Sequence, residues 1–195
     1  MAAKAKDPPI KLMVSSSVYD KEPFLDQVDA MLSSYGYEVI MSGHGKMFVN
    51  SNLSNYENCL AAVEECDAFL GIISGHYGSG EVPGKKASIT HLEMRHAVEL
   101  NKLRWFLVHN DVMVARLLLN QFRFRNGKKR RFKFEKTPVL SDIRVLDLYD
   151  EVIQAGVPLQ DRTGNWAQPY TDEASALTFL DRQFRDPGRI RKLLR

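Results

Sequence analysis

The feature that most constrains the fold is a continuous apolar run at residues 68–73, which is followed directly by a glycine-containing loop. Strands buried on both faces of a parallel sheet have this character, because helices cover both sides of the sheet. Beyond the loop at residues 74–80, Ser88 offers a hydroxyl that can cap the start of a helix. A strand, a glycine loop and a helix in this order predict a ligand pocket at the carboxyl edge of a parallel sheet.

Strands and helices alternate along the rest of the chain. Further strand patterns occur at residues 10–14, 37–41, 103–109 and, as a short edge strand, 165–170. This alternation predicts parallel strands joined by right-handed crossovers. We therefore expect a three-layer α/β sandwich of the flavodoxin-like type, with a mostly parallel five-stranded sheet. Residues 1–9 are expected to be a disordered lead, and residues 10–195 a single α/β domain.

Residues that cap helices mark the predicted helix starts. These starts are Asp20, Ser54, Ser88, Asn110, Ser141 and Thr171. Ser54 and Glu57 have the spacing of a capping box, in which each side chain satisfies a backbone N–H of the other residue. The helix from Asn110 is expected to end at Leu119, the helix from Ser141 at Ala155, and the last helix at residues 186–188.

Composition limits the class of protein. Two cysteines, Cys59 and Cys66, are too few for a disulfide framework, and the sequence shows no signal peptide. No apolar run approaches the ~20 residues that a membrane-spanning helix needs. We therefore expect a cytoplasmic protein with reduced thiols and no membrane partner.

A basic segment at residues 122–134 interrupts the α/β pattern, because phenylalanines alternate there with arginines and lysines. Alternation on both sides of Asn126-Gly127 predicts a hairpin inserted after the fourth strand. A strict two-residue turn puts the phenylalanine pairs on opposite faces. A longer loop, which pairs Phe122 with Phe134 and Phe124 with Phe132, is the preferred prediction.

The charge of this segment leaves two hypotheses open. Seven Lys and Arg residues lie between Arg123 and Lys133, and the remainder of the chain is mildly acidic. One hypothesis is a nucleic-acid contact in which basic and aromatic side chains are interleaved. The other, which we favour, is a solvated hairpin whose phenylalanine face packs on the body of the domain.

Glu93 is an acid at a position where the helix pattern calls for an apolar residue. At ~100° per residue, one face of the helix after Ser88 carries Ile89, Leu92, Ala97 and Leu100. Glu93 and His96 fall inside the same arc. Burial of a carboxylate is costly unless it is paired or hydrogen-bonded. Glu93 is therefore either a structural acid, paired with His96 or an arginine, or a site residue that faces a cavity.

Several common chemistries lack their sequence motifs. The glycine loop has neither the lysine nor the following hydroxyl residue of a phosphate-binding NTPase loop, and the first strand is not followed by a dinucleotide-binding fingerprint. His91 and His96 lie ~140° apart on their helix, too far round for joint metal ligation. The serines at positions 15–17 lack the glycines of a hydrolase nucleophile elbow.

What remains is a set of polar residues and glycines expected at the carboxyl ends of the strands. Beside Glu93, the set comprises Ser15, Ser16, Tyr19, Asp67, Gly75, Tyr77, Gly78, Ser88 and Thr90. Free N–H groups of the glycine loop and of the helix start can hold a phosphate, and hydroxyls suit a sugar. An acid beside an anomeric carbon can stabilise an oxocarbenium-like transition state. The set therefore fits cleavage of an N-glycosidic bond in a nucleotide, without a metal ion.

Three segments, residues 14–17, 66–78 and 88–93, resemble the domain-of-unknown-function family 4062 (DUF4062). The sequence around Asp142 and Trp166 also fits, so the resemblance covers nearly the whole chain. This family is similar in organisation to TIR domains and to nucleoside deoxyribosyltransferases. Many of its members are amino-terminal modules in signalling and defence contexts.

The resemblance implies that Glu93 occupies the position of a catalytic glutamate in a TIR-like fold. The residues that match the deoxyribosyltransferase pattern are Ser88, Thr90, Glu93 and Ala97, while Ile89 and Arg95 replace its glycines. The implied function is an N-glycosidase or glycosyltransferase acting on NAD or a nucleoside, with no cofactor beyond that nucleotide. The alternative hypothesis is a non-catalytic sensor module that self-associates, contacts a protein partner or binds a nucleotide signal.

Overall fold

The computed structural model describes residues 7–17, 22–42, 45–78, 80, 84 and 87–194. Most of the predicted disordered lead lies outside these ranges, as do Tyr19 and the predicted helix cap Asp20. Among the described residues, no helix combines the length and the apolar character needed to cross a membrane.

A parallel five-stranded sheet forms the middle layer, as predicted. Its strands are β1 (Lys11–Ser16), β2 (Glu38–Ile40), β3 (Ala68–Ile73), β4 (Leu103–His109) and β7 (Ala167–Tyr170), and a separate hairpin contains β5 (Phe124–Arg125) and β6 (Lys128–Lys129). The order across the sheet is β2-β1-β3-β4-β7, which is the flavodoxin-like order. All six residues of β3 are buried, so the central strand is the apolar run that the sequence indicated.

Helices cover both faces of the sheet. They are α1 (Glu22–Ser34), α2 (Asn55–Glu65), α3 (Ile89–Glu99), α4 (Asn110–Arg123), α5 (Arg144–Val152), α6 (Glu173–Phe184) and α7 (Pro187–Leu193). On one face, α1, α6 and α7 pack on side chains such as Leu70 and Leu107. On the other, α2, α3 and α5 pack on Phe69 and Phe106. The three-layer sandwich is therefore confirmed.

Capping residues begin two of the helices where the sequence predicted. Ser54 and Glu57 form the complete capping box of α2. Ser88 caps α3. Helix α6 is capped by Asp172, through a reciprocal bond with Ser175, rather than by the predicted Thr171. The end of the chain differs from the prediction, because Asp186 caps the additional helix α7 and Pro187 is tolerated in its first turn.

The boundaries of two helices in the middle of the chain were predicted wrongly. Helix α4 is capped by His109 rather than by Asn110, and it continues past Leu119 to Arg123. Helix α5 begins at Arg144, three residues after the predicted start at Ser141. The Ser141 side chain has another role, because it accepts a hydrogen bond from the backbone of Tyr77.

The basic hairpin is shorter than predicted. Its turn is the strict two-residue one, with φ of +49° at Asn126 and +72° at Gly127. Phe124 pairs with Lys129, so the predicted pairs of Phe122 with Phe134 and of Phe124 with Phe132 are wrong. Phe122 belongs to α4, and its ring stacks on Phe132 with centroids 5.8 Å apart.

Arg123 is not part of the exposed basic surface. Its side chain is 2 % exposed and donates from Nη2 to Asp147 at 2.7 Å and to Asp150 at 2.8 Å. Lys129 also pairs with Asp147, at 2.8 Å. These ion pairs fasten the hairpin to α5, so the basic segment is a docked element whose remaining charges face solvent.

We expect Gly71→Ala to destabilise the fold by about 2 kcal/mol, since extra atoms in a packed core force strained side-chain positions. A Cβ at Gly71 would lie 2.5 Å from the buried ring of Phe106. The matched control is Gly156→Ala, whose Cβ meets nothing within 4 Å. Urea unfolding measures both, and equal midpoints for the two variants would contradict the packing argument.

We expect Arg123→Met to cost about 3 kcal/mol, because removing one member of a buried ion-pair cluster leaves the other charges without compensation. Asp147 and Asp150 are the groups left behind. Arg131→Met, a matched change at an exposed arginine of the same basic segment, is expected to be nearly neutral. Thermal and urea unfolding distinguish the two variants, and a neutral Arg123→Met would show that the hairpin is not anchored in this way.

Candidate functional site

The carboxyl edge of the sheet brings several predicted residues together. Ser15 and Ser16 end β1 and pair with Gly71 and Ile72 of β3. Helix α3 then begins at the same edge behind its cap, Ser88. Because parallel strands all end at one edge, residues distant in sequence meet there.

Glu93 is the charged residue at the centre of this edge. It is 3 % exposed, and its Oε2 accepts a hydrogen bond from Ser15 Oγ at 2.5 Å. By distance and angle, its Oε1 has no hydrogen-bond partner among the described residues, and the adjacent Cys59 thiol is only a weak donor. Glu93 is therefore buried, as predicted, with only one of its oxygens satisfied.

The predicted partners of Glu93 bind elsewhere. His96 Nε2 lies 3.0 Å from Glu64, and Arg95 pairs with Glu151 at 2.9 Å. The hypothesis that Glu93 pairs with His96 or an arginine is therefore wrong, and a neutral hydroxyl is its partner.

Burial raises the pKa of Glu93 to about 7, although the hydrogen bond from Ser15 and the Cys59 thiol both lower it. Removing a carboxylate from water disfavours its charged form, and a single neutral donor compensates only part of that cost. Near neutral pH, Glu93 is therefore present in both the protonated and the ionised form. A carboxyl group with this property can serve as an acid, a base or a cation stabiliser.

The buried face of α3 is rotated from the predicted one. Buried residues of this helix are His91, Leu92, Glu93, Met94 and Ala97. Leu100, which was predicted to share this face, is exposed. Helix α3 packs against the neighbouring helices α2 and α5 as well as against β1. A larger part of its circumference is therefore buried than in a helix that contacts a sheet on one side only.

The glycine loop packs against the start of α3. Gly78 has φ of +83°, which favours glycine, and a Cβ there would lie 3.0 Å from Thr90 Oγ1. Thr90 Oγ1 donates to the carbonyl of Ser16 at 3.4 Å, and Ser88 Oγ donates to the carbonyl of Tyr77 at 2.8 Å. Gly78, Ser88 and Thr90 thus lie together, and Thr90 contacts the end of β1 at Ser16.

Three N–H groups of the loop, predicted to be free for a phosphate, are already used. Ser74 N donates to Ser17 Oγ at 2.9 Å, and His76 N donates to Ser74 Oγ at 3.2 Å. Tyr77 N donates to Ser141 Oγ at 3.0 Å. These bonds correct the prediction for this part of the loop.

Gly75 allows close packing of the loop against the backbone of Val139, and the close approach at this position is to the chain itself and not to a ligand. A Cβ at this position would lie 2.0 Å from the carbonyl oxygen of Val139. Its own carbonyl accepts from Ser141 N at 2.8 Å. The chain after the basic hairpin therefore occupies the space beside Gly75.

Asp67 lies at the wrong edge of the sheet for the predicted set. It precedes β3 and accepts a hydrogen bond from the Lys11 backbone at 2.8 Å, at the amino ends of the strands. One strand length separates it from the carboxyl edge, so it cannot act with Glu93. Tyr19, the remaining predicted residue, lies outside the described residues.

A second polar cluster was missed by the sequence analysis. Tyr77 Oη lies 2.6 Å from His91 Nδ1, and His91 Nε2 lies 3.0 Å from Glu151. Arg95 donates to both oxygens of Glu151 at 2.9 Å. Burial raises the pKa of Glu151, but hydrogen bonds from His91 and Arg95 outweigh it and hold the pKa at about 2. No sequence pattern joins these residues, because Glu151 belongs to another helix.

Metal-binding geometry is not found among the residues that the structure describes: they contain no group of three or more His, Cys, Asp or Glu side chains that could hold an ion. Cys59 and Cys66 are both buried free thiols. The chemically distinctive group of the carboxyl edge is therefore the half-satisfied carboxyl of Glu93.

Comparison with known proteins gives several structural neighbours and one family. The CMP N-glycosidase BcmB of Clostridium botulinum shares 13% sequence identity with this chain at a TM-score of 0.46, with 88% of this chain and 98% of that chain covered. No curated protein matches the sequence. The profile described as "Domain of unknown function (DUF4062)" matches residues 11–161, and the chain therefore belongs to the DUF4062 family.

Proposed function

We propose that this chain is a nucleotide-handling domain that cleaves or transfers an N-glycosidic bond, with Glu93 as its catalytic residue. The observation that carries the proposal is the asymmetry of the Glu93 carboxyl group, which has one oxygen held by Ser15 and the other without a partner among the described residues. A buried polar atom without a partner is costly, and such atoms are concentrated at functional sites.

The proposed chemistry uses the two oxygens differently. Ser15 holds Oε2 and so fixes the orientation of the carboxyl group, while Oε1 is left to face the anomeric carbon of the sugar. When the bond from this carbon to the base breaks, the base keeps the bonding electrons and positive charge develops on the sugar. The ionised form of Glu93 stabilises that charge. Water or an acceptor base then adds to the same carbon and loses a proton, which goes to the departing base when that base leaves as an anion and to solvent when it leaves neutral, as nicotinamide does.

The substrate class follows from the groups near Glu93. Ser16 and Thr90 carry hydroxyls beside the glycine loop, and hydroxyls suit the ribose of NAD or of a nucleoside. Ser88 fixes the start of α3 beside them. Tyr19 remains part of the proposed ligand contacts. In keeping with the family resemblance, the proposed context is signalling or defence.

A second candidate is a non-catalytic module that binds a nucleotide at the same edge. Two observations favour it: Glu93 is 3 % exposed, and the hydroxyl of Ser88 is used internally by His91 N and the carbonyl of Tyr77. In this case a ligand would raise the melting temperature without being consumed, since any ligand that binds only the folded state stabilises it.

We expect Glu93→Gln to lower the rate of NAD or nucleoside cleavage by at least ~100-fold, because the amide cannot stabilise a developing cation as a carboxylate does. The matched control is Glu99→Gln on the same helix, whose side chain is 63% exposed. The rate at which each variant releases the free base is measured by chromatography. Equal turnover by wild type and Glu93→Gln would refute the catalytic role, whereas ligand-induced stabilisation without turnover in wild type would select the second candidate.

The raised pKa of Glu93 also predicts how stability depends on pH. The unfolded carboxyl ionises near 4.5 and the folded one near 7, so between these values only the unfolded state loses its proton. The contribution of Glu93 is therefore most favourable below pH 4.5, falls as the pH rises, and reaches its full penalty of about 3 kcal/mol above pH 7.

Glu93→Gln removes this titration, so the variant is expected to gain stability relative to wild type between pH 5 and pH 8. Urea unfolding at several pH values measures the difference, with Glu99→Gln again as the control. A constant difference between wild type and Glu93→Gln across this range would contradict the raised pKa.

A further inference from the structure

Helix α4 presents an apolar stripe to solvent. The exposed residues of this stripe are Val114, Leu117, Leu118 and Phe122. Their spacing places them along one side of the helix over about two turns. The opposite side is already used, because Val112 is buried in the core and Arg123 is buried against α5. The stripe is too contiguous to be treated as isolated surface residues.

We propose that α4 is the contact between two copies of this chain in a symmetric dimer, with the two helices antiparallel. A twofold axis between Leu117 and Leu118 places each of these leucines beside the other leucine of the second copy. It also brings Val114 of each copy towards the partner's Phe122. The stripe is thus complementary to itself, as a twofold contact requires.

Charge at the two ends of α4 fixes the antiparallel direction. Asp111 lies in the first turn with its side chain 51% exposed, and exposed Arg125, Lys128 and Arg130 follow the last turn. Antiparallel helices bring Asp111 of one copy to the partner's Arg125. A parallel pair would instead place the two basic hairpins side by side, which like charges oppose.

The same distribution selects a second copy over a polyanion. A nucleic acid would attract the basic hairpin, but it would repel Asp111 and leave the aliphatic stripe beside phosphates. An anionic membrane would likewise repel Asp111. The phenylalanines that flank the hairpin are also poorly placed for stacking on bases, because Phe122 at the end of α4 and Phe132 after the hairpin already stack on each other. A second copy of α4, which has an acid at one end, the apolar stripe in the middle and the basic hairpin at the other end, complements all three of these features.

The hairpin is held in place for this contact. Arg123 ties its base to Asp147 and Asp150, and Lys129 adds a second bond to Asp147. The positions of its other basic residues relative to α4 are therefore defined before association. One helix pair with hairpin contacts is near the low end of the ~1,200–2,000 Å² of specific interfaces, so we expect a concentration-dependent dimer.

Leu117→Glu tests the stripe. We expect it to weaken dimerisation at least ~10-fold, because it places two carboxylates at the centre of the contact. The matched control is Leu159→Glu: Leu159 is 75% exposed, Leu117 is 74% exposed, and the two leucines lie on different elements. Analytical ultracentrifugation over a concentration series measures both. A wild-type chain that stays monomeric at its highest soluble concentration, or equal effects of the two variants, would overturn the proposal.

A charge exchange tests the direction. Asp111→Lys and Arg125→Glu are each expected to weaken the dimer, and the double variant is expected to restore it, because the pair is remade with the signs reversed. Failure of this rescue would overturn the antiparallel arrangement.

An equimolar mixture of the Leu117→Cys and Leu118→Cys variants gives an independent check of the axis, since both natural cysteines are buried. Mild oxidation should join these two variants in a covalent dimer, whereas Leu159→Cys mixed with either variant should give none. Binding of wild type to RNA or to anionic vesicles without dimerisation would refute the proposed partner.

Discussion

The structure depends on the parallel pairing of β3 between β1 and β4. All six residues of β3 are buried, so this strand is stable only with a neighbour on each edge and a helix layer on each face. Because β1, β3 and β4 run in parallel, their carboxyl ends lie at the same edge of the sheet. At this edge β1 ends and α3 begins. The contact between Ser15 and Glu93 exists because the ends of β1 and the first turns of α3 meet there.

The carboxyl edge combines a hydrogen-bonded frame with one carboxyl group, that of Glu93, whose hydrogen-bonding capacity is only partly used. The N–H groups of Ser74 and Tyr77 donate to the hydroxyls of Ser17 and Ser141 and so hold the glycine loop inward, and Ser88 caps the start of α3. Within this frame, one oxygen of Glu93 is left without a partner among the described residues. A purely structural acid would be expected to have its oxygens satisfied, because an unmatched buried acceptor is costly. This contrast is the physical basis for assigning chemistry to Glu93.

Local patterns predicted much of the fold. The capping box of Ser54 and Glu57, the cap at Ser88 and the apolar β3 were correct because each depends on residues close in sequence. Prediction failed around residues 122–134, where the end of α4 and the start of the hairpin overlap. Alternation of Phe and Arg there suits a strand, but one turn of helix with basic and apolar faces has the same composition over so few residues.

The sequence by itself determined the order of the elements, the parallel sheet and the burial of Glu93, since periodicity and capping act over a few residues. Only the tertiary structure decided that Ser15, 78 residues away, is the partner of Glu93, and that Asp67 lies at the opposite edge. It also assigned Arg123 to an ion pair with α5 rather than to the basic surface. These outcomes depend on which strands and helices become neighbours, and spacing along a single element carries no information about that.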